Sequence, residues 1–383
     1  MSDEAGCAGV CGGAGCFAKS RGTAAADGCA PTVTRRPDPR EDRRVEWLAA
    51  ETVWWGGRMR GGVALRAGAD GVVKPVPAEL APAGGVRRFP GTLLPGLVDA
   101  HVHSGLVDLA TVRAGGIAAV WDLGGVPEKV EELAARARKP GSELPAIRYA
   151  GPFLIAPGGY PSDRSWAAAG SWREVRSAAD AGAAVAEAWS GGATLIKVTA
   201  HAGGPMLPQP TLRALVDAAH ASGLPVVVHA EGPGTVAAAL ESGADLLAHT
   251  PWTERLDDRL LRACAARMRW ISTLDIHGRD GGNPAMEIAV SNLRRFVEYG
   301  GGVRYGTDLG NGPLPAGVNT GELRALRSAR LTPDEILIAM TESDSQEISW
   351  IPGGLDLSPE GFADSLATAR VVDEAIRPGS ASG

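Results

Sequence analysis

Six residues carry the chemistry in this sequence. His101 and His103 form a His-x-His pair after Pro95-Gly-Leu-Val-Asp-Ala, and Lys197 lies within Leu-Ile-Lys-Val. His229 closes Pro-Val-Val-Val-His, His249 closes Asp-Leu-Leu-Ala-His, and Asp308 closes Val-Arg-Tyr-Gly-Thr-Asp. Each sits in, or just after, a short apolar run. Imidazoles and a carboxylate are ligands that divalent metals of the zinc class accept. Side chains two apart on an extended chain point the same way, so positions 101 and 103 can reach one ion. A single strand-end histidine is more often a hydrogen-bonded structural residue than a ligand. Four of the seven histidines in equivalent places, with an aspartate after the last strand, point instead to a metal site. Of the other three, His220 reads as surface on a helix, His277 lies beyond the seventh strand, and His201 is near enough to Lys197 to face a pocket mouth.

Lys197 has its own argument. The chain holds five lysines against 33 arginines, and Lys197 is the only lysine in its second half. A cation embedded among apolar strand residues is costly without a partner. A primary amine that loses its proton can add carbon dioxide, giving a carbamate whose two oxygens can bridge two divalent ions, which a guanidinium does not readily do. The alternative is an ordinary lysine paired with Asp308 or another acid.

The elements that must position these residues follow from the hydrophobic pattern. Apolar strands are expected at 96–100, 117–122, 147–154, 194–198, 225–229, 245–249, 270–274 and 303–306, with helices at 128–138, 172–189, 211–222, 255–267 and 285–299. Eight strand–helix alternations imply parallel strands with crossover helices, the count that closes a (β/α)8 TIM-like barrel. A doubly wound sheet is the other α/β solution, but no Gly-x-Gly-x-x-Gly opens a first strand–helix turn. The expected division is a Gly/Ala/Arg-rich disordered leader over 1–44, a small antiparallel β-sandwich part over 45–92, the barrel over 93–345, and a C-terminal return to the β unit and tail over 346–383. Cys7, Cys11, Cys16 and Cys29 fall in the leader at gaps of three, four and twelve residues, which is not the paired spacing of a zinc cluster. A net charge of −6 without a basic patch argues against nucleic acid, and no run of 18 apolar residues suggests a membrane span. Without an apolar signal region, the reading is a cytoplasmic protein.

The runs Pro95-Gly-Leu-Val-Asp-Ala-His-Val-His, Ile196-Lys-Val, Val228-His-Ala-Glu, Ala248-His-Thr and Tyr305-Gly-Thr-Asp resemble the metal-dependent amidohydrolase superfamily. Their order, over about 45–340, is most similar to its imidazolonepropionase-like and prolidase-like branch, whose fourth strand carries lysine. The resemblance implies two divalent ions, zinc first among them. His101, His103 and Asp308 would hold the deeper ion, His229 and His249 the outer one, and Lys197, carboxylated by carbon dioxide, would bridge. It also implies a small sandwich made from both termini, reduced here because the long strand-rich ending is lacking. One departure is Pro157-Gly-Gly-Tyr-Pro, where relatives carry Gly-Gly-His; Tyr160 replaces a substrate-facing histidine.

The implied activity is hydrolysis of a C–N amide bond through a metal-bridged hydroxide, with Asp308 moving the proton and Tyr160 or His201 assisting the oxyanion. Tyr160, Trp166, Trp172, Met206 and Trp252 lie in the loops after the third, fourth and sixth strands, where they either line a pocket for a peptide-like or heterocyclic substrate or brace the loops. Within that class the readings are an imidazolonepropionase-like cyclic-amide hydrolase, a prolidase-like dipeptidase, and an enzyme of specialised metabolism. Follower removal from a thiazoline peptide of the bottromycin type is an example of the last. A non-catalytic ligand-binding barrel is the alternative of another class. The expected partner is a small-molecule or peptide substrate, and a homo-oligomer is compatible with all of these.

Overall fold

The computed structural model describes residues 46–68, 71–278, 283–342 and 346–373. The leader expected over 1–44, its four cysteines and the last ten residues lie outside the described residues.

The eight expected staves are present. One arc pairs Leu97–Val102, Ile117–Asp122 and Ala146–Tyr149 in parallel. The other runs through Phe153–Ile155, Ile196–His201, Val226–Glu231, Leu246–Leu247, Arg269–Ile271 and Gly302–Arg304, also in parallel. The third stave, expected as one strand over 147–154, is broken between these arcs. Backbone bonds from Thr194 N to Tyr149 O (2.9 Å) and Ala150 N to Asp122 O (3.0 Å) carry the connection. First and last staves meet through Ala100 N to Tyr305 O (2.9 Å) and His103 N to Leu309 O (2.8 Å), which closes the ring.

Strand parity decides what enters the barrel. Val98, Ala100, Trp121, Leu195, Val227, Leu246 and Ile271 form one cluster inside the ring. Lys197 shares the parity of Leu195, and His229 and Glu231 share that of Val227, so those side chains follow the interior apolar layer towards the C-terminal ends. On the outer face Trp270 stacks on Phe296 of the helix Pro284–Glu298, with ring centroids 3.8 Å apart. Removing an aromatic packed this way costs about 3–5 kcal/mol.

Two sequence expectations change. Residues 172–189 are not one helix: Trp172–Glu174 is a strand beside Phe153–Ile155, and the helix is Ala181–Ser190. The β unit is one seven-stranded mixed sheet rather than an antiparallel one, because Glu46–Trp54 runs parallel to Val86–Pro95. C-terminal strands Ile348–Ile351 and Arg370–Val371 extend that sheet. Trp54 Nε1 donates to Asp334 Oδ1 (2.6 Å) at the start of the helix Pro333–Ala339, tying sheet to barrel. Among the described residues no helix is long and apolar enough to cross a membrane.

Candidate metal centre

His101, His103, Lys197, His229, His249 and Asp308 are all buried and gather at the C-terminal ends of the staves. The ring centroids of His101 and His249 are 4.6 Å apart, those of His101 and His103 5.4 Å, and those of His229 and His249 5.0 Å. The first stave shifts register between Asp99 and Val102, which re-aims the His-x-His pair into the ring. Gly306 stands where any Cβ would collide with Ile271 and crowd His101, so the last stave can approach the first only with glycine there.

Hydrogen bonds decide which ring atom each histidine offers. His101 Nδ1 faces Ala248 O at 2.8 Å and His103 Nδ1 faces Gly124 O at 2.9 Å. A carbonyl only accepts, so Nδ1 carries the hydrogen in both rings and Nε2 is the remaining atom. Both Nε2 atoms converge on Asp308 Oδ1, at 3.1 Å and 3.2 Å. That buried oxygen has no partner in hydrogen-bond geometry, while Asn311 Nδ2 holds the other oxygen at 2.8 Å. His249 Nδ1 pairs with Thr273 Oγ1 at 2.9 Å. His101, His249 and Asp308 each place one ligand atom within 4.8 Å of the others. Asp308 and Thr273 both take positive φ (59° and 45°), a strained conformation for residues with a Cβ, found here at the ends of the last two staves.

The electrostatics agree with a cation site. Burial holds His101 and His249 well below the ordinary imidazole value, so both are neutral donors. Burial also opposes charge on Asp308, but charge on the neighbouring imidazoles, together with the close contact to His103, whose own value is raised, brings its carboxyl well below the usual range. For His103 burial acts downward, and Asp308 beside it raises the net value. A buried, unpartnered carboxylate oxygen among imidazole nitrogens is an arrangement a divalent ion satisfies, and the donor types fit zinc-class ions. Lys197 forms no ion pair with Asp308 among the described residues; its Nζ lies 6.0 Å from the Phe153 ring, and burial lowers its amine to about 7.

Around this cluster, Tyr160 stacks on His229 (4.8 Å, 20° between planes) and lies 5.0 Å from His201. Trp252 packs 5.3 Å from His249 and 6.0 Å from His229, and Trp166 lies 6.1 Å from Tyr160. Trp172 belongs to the edge strand described above, so the aromatic lining comes from the other three. Sequence reading gave no role to three neighbours. His277, 4.9 Å from Trp252, is lowered to about 4 by burial. Asp99 binds the backbone N–H of both His101 and Thr307 at 3.0 Å. Glu231 forms a second cluster with His201 and His229. An aspartate inside an apolar strand and the acid of Val228-His-Ala-Glu were the visible signals for the last two.

No protein-family model matches the chain, and no curated protein does. Solved structures match in fold. A Xaa-Pro dipeptidase with methionine bound in its active site gives a TM-score of 0.69 at 16% identity, over 86% of this chain and 98% of that one. A putative prolidase from Bifidobacterium longum gives 0.66 at 22% identity, over 84% and 91%. Ochratoxinase from A. niger gives 0.69 at 17% identity, over 85% and 94%. The fold is thus the α/β barrel shared with these dipeptidase, prolidase and ochratoxinase structures, with an added mixed sheet built from strands near both ends.

Proposed function

We propose that this protein is a metal-dependent hydrolase that cleaves a C–N amide bond in a peptide-like or heterocyclic substrate. The observation that carries the reading is the buried Asp308 Oδ1, met by two imidazole nitrogens at 3.1 Å and 3.2 Å and satisfied by no hydrogen bond. His101, His103 and Asp308 would hold a deeper divalent ion, His229 and His249 an outer one, and carboxylated Lys197 would bridge them. The low amine value of Lys197, about 7, supports carboxylation because only the neutral amine adds carbon dioxide. Divalent ions bound there would polarise the amide carbonyl and bring the pKa of water towards neutrality.

The chain's own groups supply the rest. The Asp308 carboxylate takes the proton of the attacking water and returns it to the leaving nitrogen. Tyr160 and His201 stand beside the cluster, where a hydroxyl or ring N–H can donate to the developing oxyanion. Trp252 and Trp166 pack against the cluster's histidines, an aromatic lining suited to a peptide side chain or heterocycle better than to a small acid. The dipeptidase and prolidase matches support a linear peptide first; cyclic amides and thiazoline peptides are the other members of the class.

The test is turnover by zinc-loaded protein against linear dipeptides, cyclic imides and azoline peptides. Hydrolysis in one class and not the others names the substrate. Full metal loading with no turnover in any class would turn the reading towards a ligand-binding barrel.

A further inference from the structure

Three of the four candidate histidine ligands commit Nδ1 to a protein partner: His101 to Ala248 O, His103 to Gly124 O and His249 to Thr273 Oγ1. His229 is the exception. Its Nε2, not its Nδ1, is engaged, at 3.0 Å from Glu231 Oε2. An ionised carboxylate can only accept, so this bond places the ring hydrogen on Nε2 and leaves Nδ1 with the lone pair. We propose that Glu231 is a positioning residue that fixes His229 in the tautomer offering Nδ1, while the other three rings offer Nε2. The inference rests on the metal reading proposed above.

The fold holds Glu231 to this task. Glu231 lies two residues beyond His229 on the same stave, so both side chains share a face. Across the ladder Glu231 is in register with His201, whose Nδ1 is 3.0 Å from the same oxygen but outside hydrogen-bond geometry. The bond to His229 is therefore the better-formed of the two. The next residue is anchored as well, since Gly232 N donates to Thr253 Oγ1 at 2.9 Å, pinning the end of this stave to the loop after the sixth. Tyr160 stacked on the His229 face keeps the ring in its plane, and Glu231 decides which edge turns inward. A carboxylate behind a ligating imidazole also raises the basicity of the ring, and losing such a partner lowers metal affinity by about 10–100-fold.

The test uses the zinc-loaded full chain, with stepwise zinc titration and long-range proton–nitrogen correlation spectra of labelled histidines. The wild type is expected to show one imidazole with a protonated Nε2 and a metal-bound Nδ1, a signature absent in His229→Ala. Glu231→Ala should weaken the second zinc by about 10–100-fold and leave the first unchanged. Glu231→Gln keeps an acceptor for Nε2–H and should stay within about 5-fold of wild type. Wild-type affinity in Glu231→Ala would overturn the proposal. Equal loss in Glu231→Gln and Glu231→Ala would also overturn it, in favour of Glu231 as a direct ligand. A wild type that takes up no zinc at all would instead bring down the metal reading, and this inference with it.

Discussion

Asp99 and Thr307 lock the first barrel stave to the last: Asp99 Oδ2 accepts from Thr307 Oγ1 at 2.6 Å and Asp99 Oδ1 from Thr307 N at 3.0 Å. The same Oδ1 accepts from His101 N, so one buried carboxylate sets the spacing between His101 and Asp308. Burial pushes Asp99 up to about 7, and these three bonds are what oppose that rise. Thr307→Val removes the hydroxyl and leaves a buried oxygen unsatisfied, at a cost of about 1–3 kcal/mol. Denaturant unfolding should show that loss, and a metal titration should show weaker binding of the first ion, with Thr307→Ser close to wild type. A Thr307→Val protein with wild-type metal affinity would mean that the lock does not position the site.

Lys197 is buried and forms no ion pair with Asp308 among the described residues. Lys197→Ala should therefore lose at least one ion along with activity, and short carboxylates such as acetate should restore part of the turnover by occupying the vacated space. Lys197→Arg should fail as well, because guanidinium stays positive between the two ions proposed for the site. A metal-replete, active Lys197→Arg enzyme would overturn the carbamate while sparing the His/Asp cluster.

Tyr160 contacts the cluster through its ring face, stacked on His229. Tyr160→Phe keeps that ring and removes only the hydroxyl. Metal content should stay at the wild-type value while kcat/KM changes, falling by about 100- to 1,000-fold if the hydroxyl donates to the oxyanion. Loss of metal in Tyr160→Phe would show that the hydroxyl supports the ligands instead.

Glu322, on the helix Thr320–Ser328 away from the cluster, accepts Asp275 N–H at 2.7 Å, and burial raises its carboxyl from 4.5 to about 7. Between those values the folded protein keeps a proton that the unfolded chain has released, so stability falls as pH rises through the window. Glu322→Gln removes the titration. It should stabilise the protein by about 1–3 kcal/mol at pH ~8 and give little change at pH ~4. An equal effect at both pH values would show that Glu322 does not titrate in that range.

The grouping of the candidate residues is legible in the sequence because side chains in a barrel follow strand parity and strand ends. Lys197 and His229 could be read from apolar runs whose period puts them inside, and Asp308 from its place after the eighth run. The sixth stave shows the limit: only Leu246–Leu247 forms ladder, and His249 lies just beyond it, held by Thr273 from the next stave. Trp172–Glu174 adjoins an Ala-rich stretch whose pattern predicts helix, whereas its strand state comes from pairing with Phe153–Ile155. The role inferred for Glu231 depends on an atom choice by His229 and on register with His201, neither of which a one-dimensional pattern encodes. The parallel pairing of Glu46–Trp54 with Val86–Pro95 is likewise a long-range fact.

The most direct measurement is elemental analysis of the purified protein after loading with zinc and bicarbonate, beside Asp308→Asn treated identically. The wild type should carry close to two ions per chain, and Asp308→Asn, which loses the anionic oxygen the two imidazoles face, should carry fewer. No bound transition metal in the wild type under those conditions would contradict the account at its centre.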